Sequence, residues 1–178
     1  MFRMKILTLT CTAFAVFANA EVVQPRILTT DEIAIYELLI GQYGGELVVS
    51  RDMISQSPKE LSSIWKYITR SNGHMWAAFR VTSSVQTAFN DLITQSKSKW
   101  SIQSWTSRFP LQTGSLPDEQ PPITIFQFSP IGFDSTKTVA VVIRSGQQGP
   151  DAGSTEMIIL RKVDGVWKVE IERTYRMS

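Results

Sequence analysis

Thr155-Glu156-Met157-Ile158-Ile159-Leu160-Arg161-Lys162-Val163-Asp164-Gly165-Val166-Trp167-Lys168-Val169-Glu170-Ile171-Glu172-Arg173-Thr174-Tyr175 is the stretch that decides how this chain is read. At its centre, Asp164-Gly165 is a pair that tolerates positive φ at both positions, as a two-residue hairpin turn of type I′ requires. Both sides read as strands, and from Trp167 onwards apolar and polar residues alternate with the period of two that belongs to them. The turn sets a register in which Val163 faces Val166, Lys162 faces Trp167, Leu160 faces Val169, Ile158 faces Ile171 and Glu156 faces Arg173. Two apolar pairs then sit mid-strand, with a cation–ring pair at one end and an opposite-charge pair at the other. A slip of one residue would mix the faces.

Outward from the hairpin, Ile123 to Phe128 and Lys137 to Ser145 carry the same period and read as two further strands. Upstream the period changes to that of helices. Thr29 followed by Glu32 is a capping box, ahead of Ile33, Tyr36, Leu39 and Ile40 at helical spacing, and Gly41 ends the run. Ser57-Pro58-Lys59-Glu60 starts a second helix with proline at its first position, and Leu61, Ile64, Trp65 and Ile68 form its apolar stripe. A third helix is expected over Ser84 to Ser96, with a short strand at Leu47 to Ser50. Glu21 to Leu28 reads as a loose leader. The segment from Trp100 to Pro122 reads as a loop wrapped over the fold and pinned by Trp100, Trp105 and Phe109, because Gly114, Pro117, Pro121 and Pro122 preclude a long element. Helices first and strands afterwards predict an α+β fold, with the N-terminal helices on one face of a curved antiparallel meander of four to five strands.

The first twenty residues have the order of an export signal: Arg3 and Lys5, an apolar run from Ile6 to Phe17, and a small-residue cleavage site at Ala18-Asn19-Ala20. That run is too short for a membrane-spanning helix, which needs about 20 apolar residues. Residues 21–178 are then expected to form a single α+β domain. Of 18 basic and 16 acidic residues, two basic ones and no acidic one lie in the signal, so the remainder is balanced. A balanced charge gives no excess to hold nucleic acid or an anionic membrane. The only cysteine, Cys11, also lies in the signal, so the domain must stand on its core without disulfides. A domain of this length buries roughly 70% of its unfolded surface, which suffices.

Ile131-Gly132-Phe133, Thr138-Val139-Ala140-Val141-Val142 and Leu160 to Val169 together resemble a group of small exported bacterial proteins of unknown function. Members of that group often carry cysteines in a glycine-rich loop, where this chain has Gly146, Gly149 and Gly153 and no cysteine. The final hairpin also looks like the end of cystatin-like and NTF2-like domains, a likeness that implies a fold and no activity.

Several residues could carry chemistry. His74, the only histidine, follows the turn pair Asn72-Gly73 and reads as an exposed turn residue. A zinc site would have to be built from it and carboxylates alone, against the usual ligand sets. Ser63-x-x-Lys66 and Ser96-x-x-Lys99 match one motif of penicillin-recognising enzymes but lack its companions. Glu170 and Glu172 read as part of a solvated strand face. The tryptophans are either core residues or a binding platform. The loop from Gly146 to Gly153 joins two strands, and long hairpin loops on rigid sheets often carry binding residues. A polar binding site is therefore expected at the sheet's end, from Arg144, Gln147, Gln148, Asp151, Glu156 and Arg173. The alternative is a plain salt bridge between Glu156 and Arg173. No catalytic set, metal or cofactor is called for. The expected function is a binding or inhibitory module outside the cytoplasm, its partner a protein or small ligand. The second reading is a small hydrolase whose carboxylates meet only in the fold.

Export predicts that intact-mass measurement of the secreted protein finds Glu21 at the N-terminus. A retained Met1, or a lipid on Cys11, would contradict it.

Overall fold

The computed structural model describes residues 22–43, 47–69, 81–105, 109–112, 123–148 and 152–177. The expected export signal, His74 and the stretch from Gly114 to Pro122 lie outside the described residues. In chain order the elements are β1 (Val23–Ile27), α1 (Thr30–Ile40), β2 (Leu47–Ser50), α2 (Pro58–Thr69), α3 (Ser83–Gln95), β3 (Lys99–Ser104), β4 (Leu111–Gln112), β5 (Thr124–Phe128), β6 (Gly132–Phe133), β7 (Val139–Gln147), β8 (Gly153–Val163) and β9 (Val166–Met177). The fold is α+β. Its main sheet runs β4-β2-β5-β7-β8-β9, with β6 also paired to β7. The C-terminal strands pair antiparallel, while β2 lies parallel to both β4 and β5.

Local sequence explains each helix start. Thr29 and Glu32 form the capping box of α1, each side chain satisfying the other's backbone N–H. Ser57 and Glu60 do the same for α2, with Pro58 at its first position. Thr82 caps α3. Among the described residues no helix is long and apolar enough to cross a membrane.

The helices divide between the two faces of the sheet rather than sharing one. Ala140, Val142, Ile158, Leu160 and Trp167 join Ile35, Tyr36, Leu39 and Ile40 of α1 in one core cluster. Val139, Val141, Ile143, Met157 and Ile159 join Leu61, Trp65 and Ile68 of α2 and Val85, Ala88, Phe89 and Leu92 of α3 in another. The cause is legible in β7, whose first five residues are all apolar and all buried. A strand apolar on both sides needs cover on both. Helices on one face alone would leave three of those side chains in water.

Two segments read as irregular are strands. β1 falls in the expected leader and β3 in the expected loop, and they pair parallel as a separate two-stranded sheet. Neither alternates cleanly, and Pro25 interrupts β1, which is why the pattern hid them. Of the pinning aromatics, Trp100 lies in β3 itself and Trp105 and Phe109 follow it; all three are partly rather than mostly buried against the first cluster, and the Trp105 Nε1–H donates to the Phe109 carbonyl at 2.9 Å.

The C-terminal hairpin keeps its expected register only as far as Leu160 and Val169. Asp164 and Gly165 take φ of 52° and 79°, as the turn demands. Glu170 then faces no residue of β8 in the ladder, and beyond it Ile159 faces Ile171, Ile158 faces Glu172, Met157 faces Arg173 and Glu156 faces Thr174. The expected pairs Ile158–Ile171 and Glu156–Arg173 are therefore absent, and Glu156 and Arg173 point to opposite faces. The bulge at Glu170 has a physical reason. With Trp167 and Val169 kept on the first cluster, it moves Ile171 onto the second cluster and Glu172 onto the face of the buried Arg144, which an unbroken alternation could not do.

Gly132 fixes how α3 lies on the sheet. A Cβ there would fall 2.1 Å from the Ala88 carbonyl oxygen and 2.3 Å from the Leu92 amide nitrogen. Both are helix backbone, so α3 itself would have to move. Gly132→Ala should destabilise the protein by about 3 kcal/mol, at the upper end for overpacked cores, read as a lowered urea midpoint. A change below about 0.5 kcal/mol would mean that α3 is not seated against this glycine.

Candidate functional site

Of the six residues expected at the sheet's end, the structure joins two. Arg144 is 1% exposed. Its Nε and Nη2 donate to Glu156 Oε2 at 3.0 and 2.7 Å, and its Nη1 donates to the Leu39 carbonyl at 3.1 Å. Nη2 also donates to Glu172 Oε1 at 2.7 Å, a partner the sequence placed on a solvated face. Tyr43 lies over the guanidinium, 4.8 Å from its carbon. Leu39 sits in the last turn of α1, which has no basic residue of its own, so Arg144 supplies the cation that a helix C-terminus favours. The remaining oxygen of Glu156 accepts from the Ser154 hydroxyl at 2.9 Å.

The other expected residues stand apart from this cluster. Gln147 closes the β7–β8 ladder opposite Gly153. The Gln148 amide donates to the Ala152 carbonyl, and its side chain donates to the Thr124 hydroxyl. Arg173 faces Met157, and Asp151 lies outside the described residues. Arg144 is occupied on every side by its own chain, so it holds the fold rather than a ligand. The described tryptophans are likewise spent internally. Trp65 stacks on Phe89, Trp100 donates to the Gln95 carbonyl, and Trp167 donates to Asp31. Asp31 also accepts from Lys162 at 2.7 Å, and that bond holds its carboxyl below the ordinary aspartate range. Glu170 pairs with Arg161. Ser63, of the first serine–lysine motif, donates its hydroxyl back to the Lys59 carbonyl.

A cavity of about 580 Å³ opens between the start of α2 and the far ends of β8 and β9. Gln56, Ser57, Lys59, Glu60, Ser63, Ile64, Thr155, Tyr175 and Arg176 line it. Gln56 Nε2 donates to the Tyr175 hydroxyl at 2.8 Å, while Gln56 Oε1 is buried without a hydrogen-bond partner. Burial pushes the Tyr175 phenol above its ordinary value, which leaves it a proton donor through the neutral range. The Ser57 hydroxyl and then its amide hold the Glu60 carboxyl below its ordinary range. Sequence reasoning missed this site because its walls come from segments far apart in the chain. The capping box at Ser57 fixed where Lys59 would stand, but nothing local pointed to Tyr175 as its neighbour.

Comparison with protein-family models, with curated proteins and with solved structures found no match. Among the described residues, no three His, Cys, Asp or Glu side chains converge as a metal ion would require.

Removing Arg144 leaves Glu156 buried and unpaired, which costs far more than the pair itself is worth. Arg144→Met should cost about 3–5 kcal/mol. Adding Glu156→Gln to it should recover part of that loss, a coupling of about 2 kcal/mol in a double-mutant cycle by urea denaturation. Simple additivity would show that the two do not act as a pair.

Proposed function

We propose that this chain is an exported, non-enzymatic binding protein that holds a small polar ligand in the α2–β9 cavity outside the cytoplasm. The order of features in the first twenty residues supports export. The cavity's fixed protonation supports binding over catalysis. Its two groups with shifted acidity are Glu60, held low, and Tyr175, held high. Neither changes charge near neutrality, where a general acid or base has to exchange its proton. A phenol donor and a carboxylate beside the Lys59 and Arg176 side chains are instead suited to recognition. The volume, about 580 Å³, lies within the range of small-ligand sites, about 300–1,000 Å³.

The mature protein should rise in melting temperature with at least one member of a panel of small polar metabolites. Saturation near 100 times Kd is worth about 2.7 kcal/mol. Ser63→Trp, which fills the cavity from α2, should abolish the rise, and the metabolite should be recovered unaltered after prolonged incubation. Conversion of the metabolite would instead favour the hydrolase reading, and a rise that survives Ser63→Trp would move the site elsewhere.

A further inference from the structure

We infer that the open edge of β1 is a docking site for an extended strand of a partner protein, one with apolar side chains at three alternate positions. The inference does not depend on the cavity. Three of the seven large apolar side chains left exposed among the described residues fall on this strand and its approach: Val22 at 77%, Val23 at 49% and Ile27 at 72%. β1 is one half of the two-stranded sheet. Arg26 turns inward to Glu32, Gln95 and the ring of Trp100, so Val23, Pro25 and Ile27 share the outer face.

The neighbouring strand fixes where the backbone groups of β1 point. On β3 the Trp100 carbonyl accepts from the Met53 amide, and the Ile102 amide donates to the Arg51 carbonyl. The backbone groups of Trp100 and Ile102 therefore point away from β1, and those of Ser101 point to it. Sides alternate along a ladder, so Gln24 and Arg26 bond to β3, while Val23, Pro25 and Ile27 turn their groups to the open side. No other strand among the described residues covers them. Pro25 has no N–H to offer, as suits a proline on a sheet edge. Apolar side chains beside uncovered backbone groups are what an added strand uses.

Pro25 also bears on whose strand docks. A closed dimer would pair β1 antiparallel with its own copy. With Val23 opposite Ile27, the two Pro25 carbonyls meet and neither finds a donor. Two residues one way, Pro25 faces Thr29, whose N–H already donates to Glu32. Two residues the other way, Ile27 faces Asn19, which export would remove. A different chain with an N–H opposite Pro25 avoids all three conflicts. Branched apolar residues there and two positions to either side cover the row from Val23 to Ile27.

The test is titration of the isotope-labelled mature protein with the end-capped peptide Lys-Val-Thr-Val-Thr-Val-Lys, followed by NMR at the Val23 and Ile27 amides. Saturable shifts of both are expected. Methylating the central valine nitrogen removes the donor to Pro25 and should weaken binding about tenfold, the worth of one hydrogen bond. Methylating a threonine nitrogen, which points away from β1, should weaken it less. Ile27→Lys sets a guarding charge on the edge and should abolish binding without lowering the melting temperature. Pro25→Val restores the missing donor and should turn a monomer into a dimer in analytical ultracentrifugation. No shift at Val23 and Ile27, or slow hydrogen exchange of those amides in the free protein, overturns the docking site. Equal loss from the two methylations overturns the backbone pairing. A Pro25→Val protein that stays monomeric overturns the role given to the proline. A wild-type dimer that Ile27→Lys dissolves makes the occupant a second copy and overturns the partner assignment.

Discussion

A guanidinium taken out of water has to be neutralised where it lands, and the geometry around Arg144 is the consequence. The isolated charge would cost several kcal/mol even after relaxation. Its partners come from β8 through Glu156, from β9 through Glu172 and from the end of α1 through the Leu39 carbonyl. None of these can shift without uncovering the charge. The bulge at Glu170, the stopping point of α1 and the pairing of Arg144 with Glu156 across β7 and β8 are thus parts of one electrostatic solution. The apolar clusters supply most of the driving force for folding, but they tolerate small slips. A buried ion pair does not, and it selects one register among several that burial alone would accept.

The central strand β7 explains why the molecule needs layers on both sides. Val139 to Ile143 bury both edges of the alternation, so α1 covers one row and α2 with α3 the other. Gly132 lets α3 approach the sheet to within backbone contact. The close stacking of Trp65 on Phe89, ring centres 4.2 Å apart, then locks α2 to α3 above that row.

Features set by neighbours in sequence were legible beforehand, and those set by distant neighbours were not. Thr29 and Glu32, Ser57 and Pro58, and Asp164 and Gly165 fix their elements within a few residues, so caps and turn fell where their chemistry put them. The strands β1 and β3 owe their existence to each other across all three helices, and neither carries a pattern that betrays it. The bulge was hidden for a different reason. Trp167, Val169 and Ile171 look like one apolar face, and only the second core cluster and Arg144 require that the face be broken after Val169. Arg144 and Glu156 could be picked out as unusual polar residues in apolar strands. Their true partner Glu172 could not, because its side of the strand depends on that break. The cavity joins Gln56 to Tyr175, two residues whose adjacency nothing local announces.

The same interruptions bear on how this sheet meets other chains. In the strand order β9 comes last, and a flat outermost strand of twelve residues would be a template for edge-to-edge aggregation. Its ladder is broken at Glu170 and again at Tyr175, where the register shifts a second time. Lys168, Glu170, Arg173 and Arg176 space charges along it. An incoming strand would meet a backbone whose hydrogen-bonding groups fall out of step twice, and it would have to bring the charges to match. The irregularity that satisfies a buried arginine on one side of β9 therefore also works as a solubility device, and straightening the strand would expose the protein to self-association.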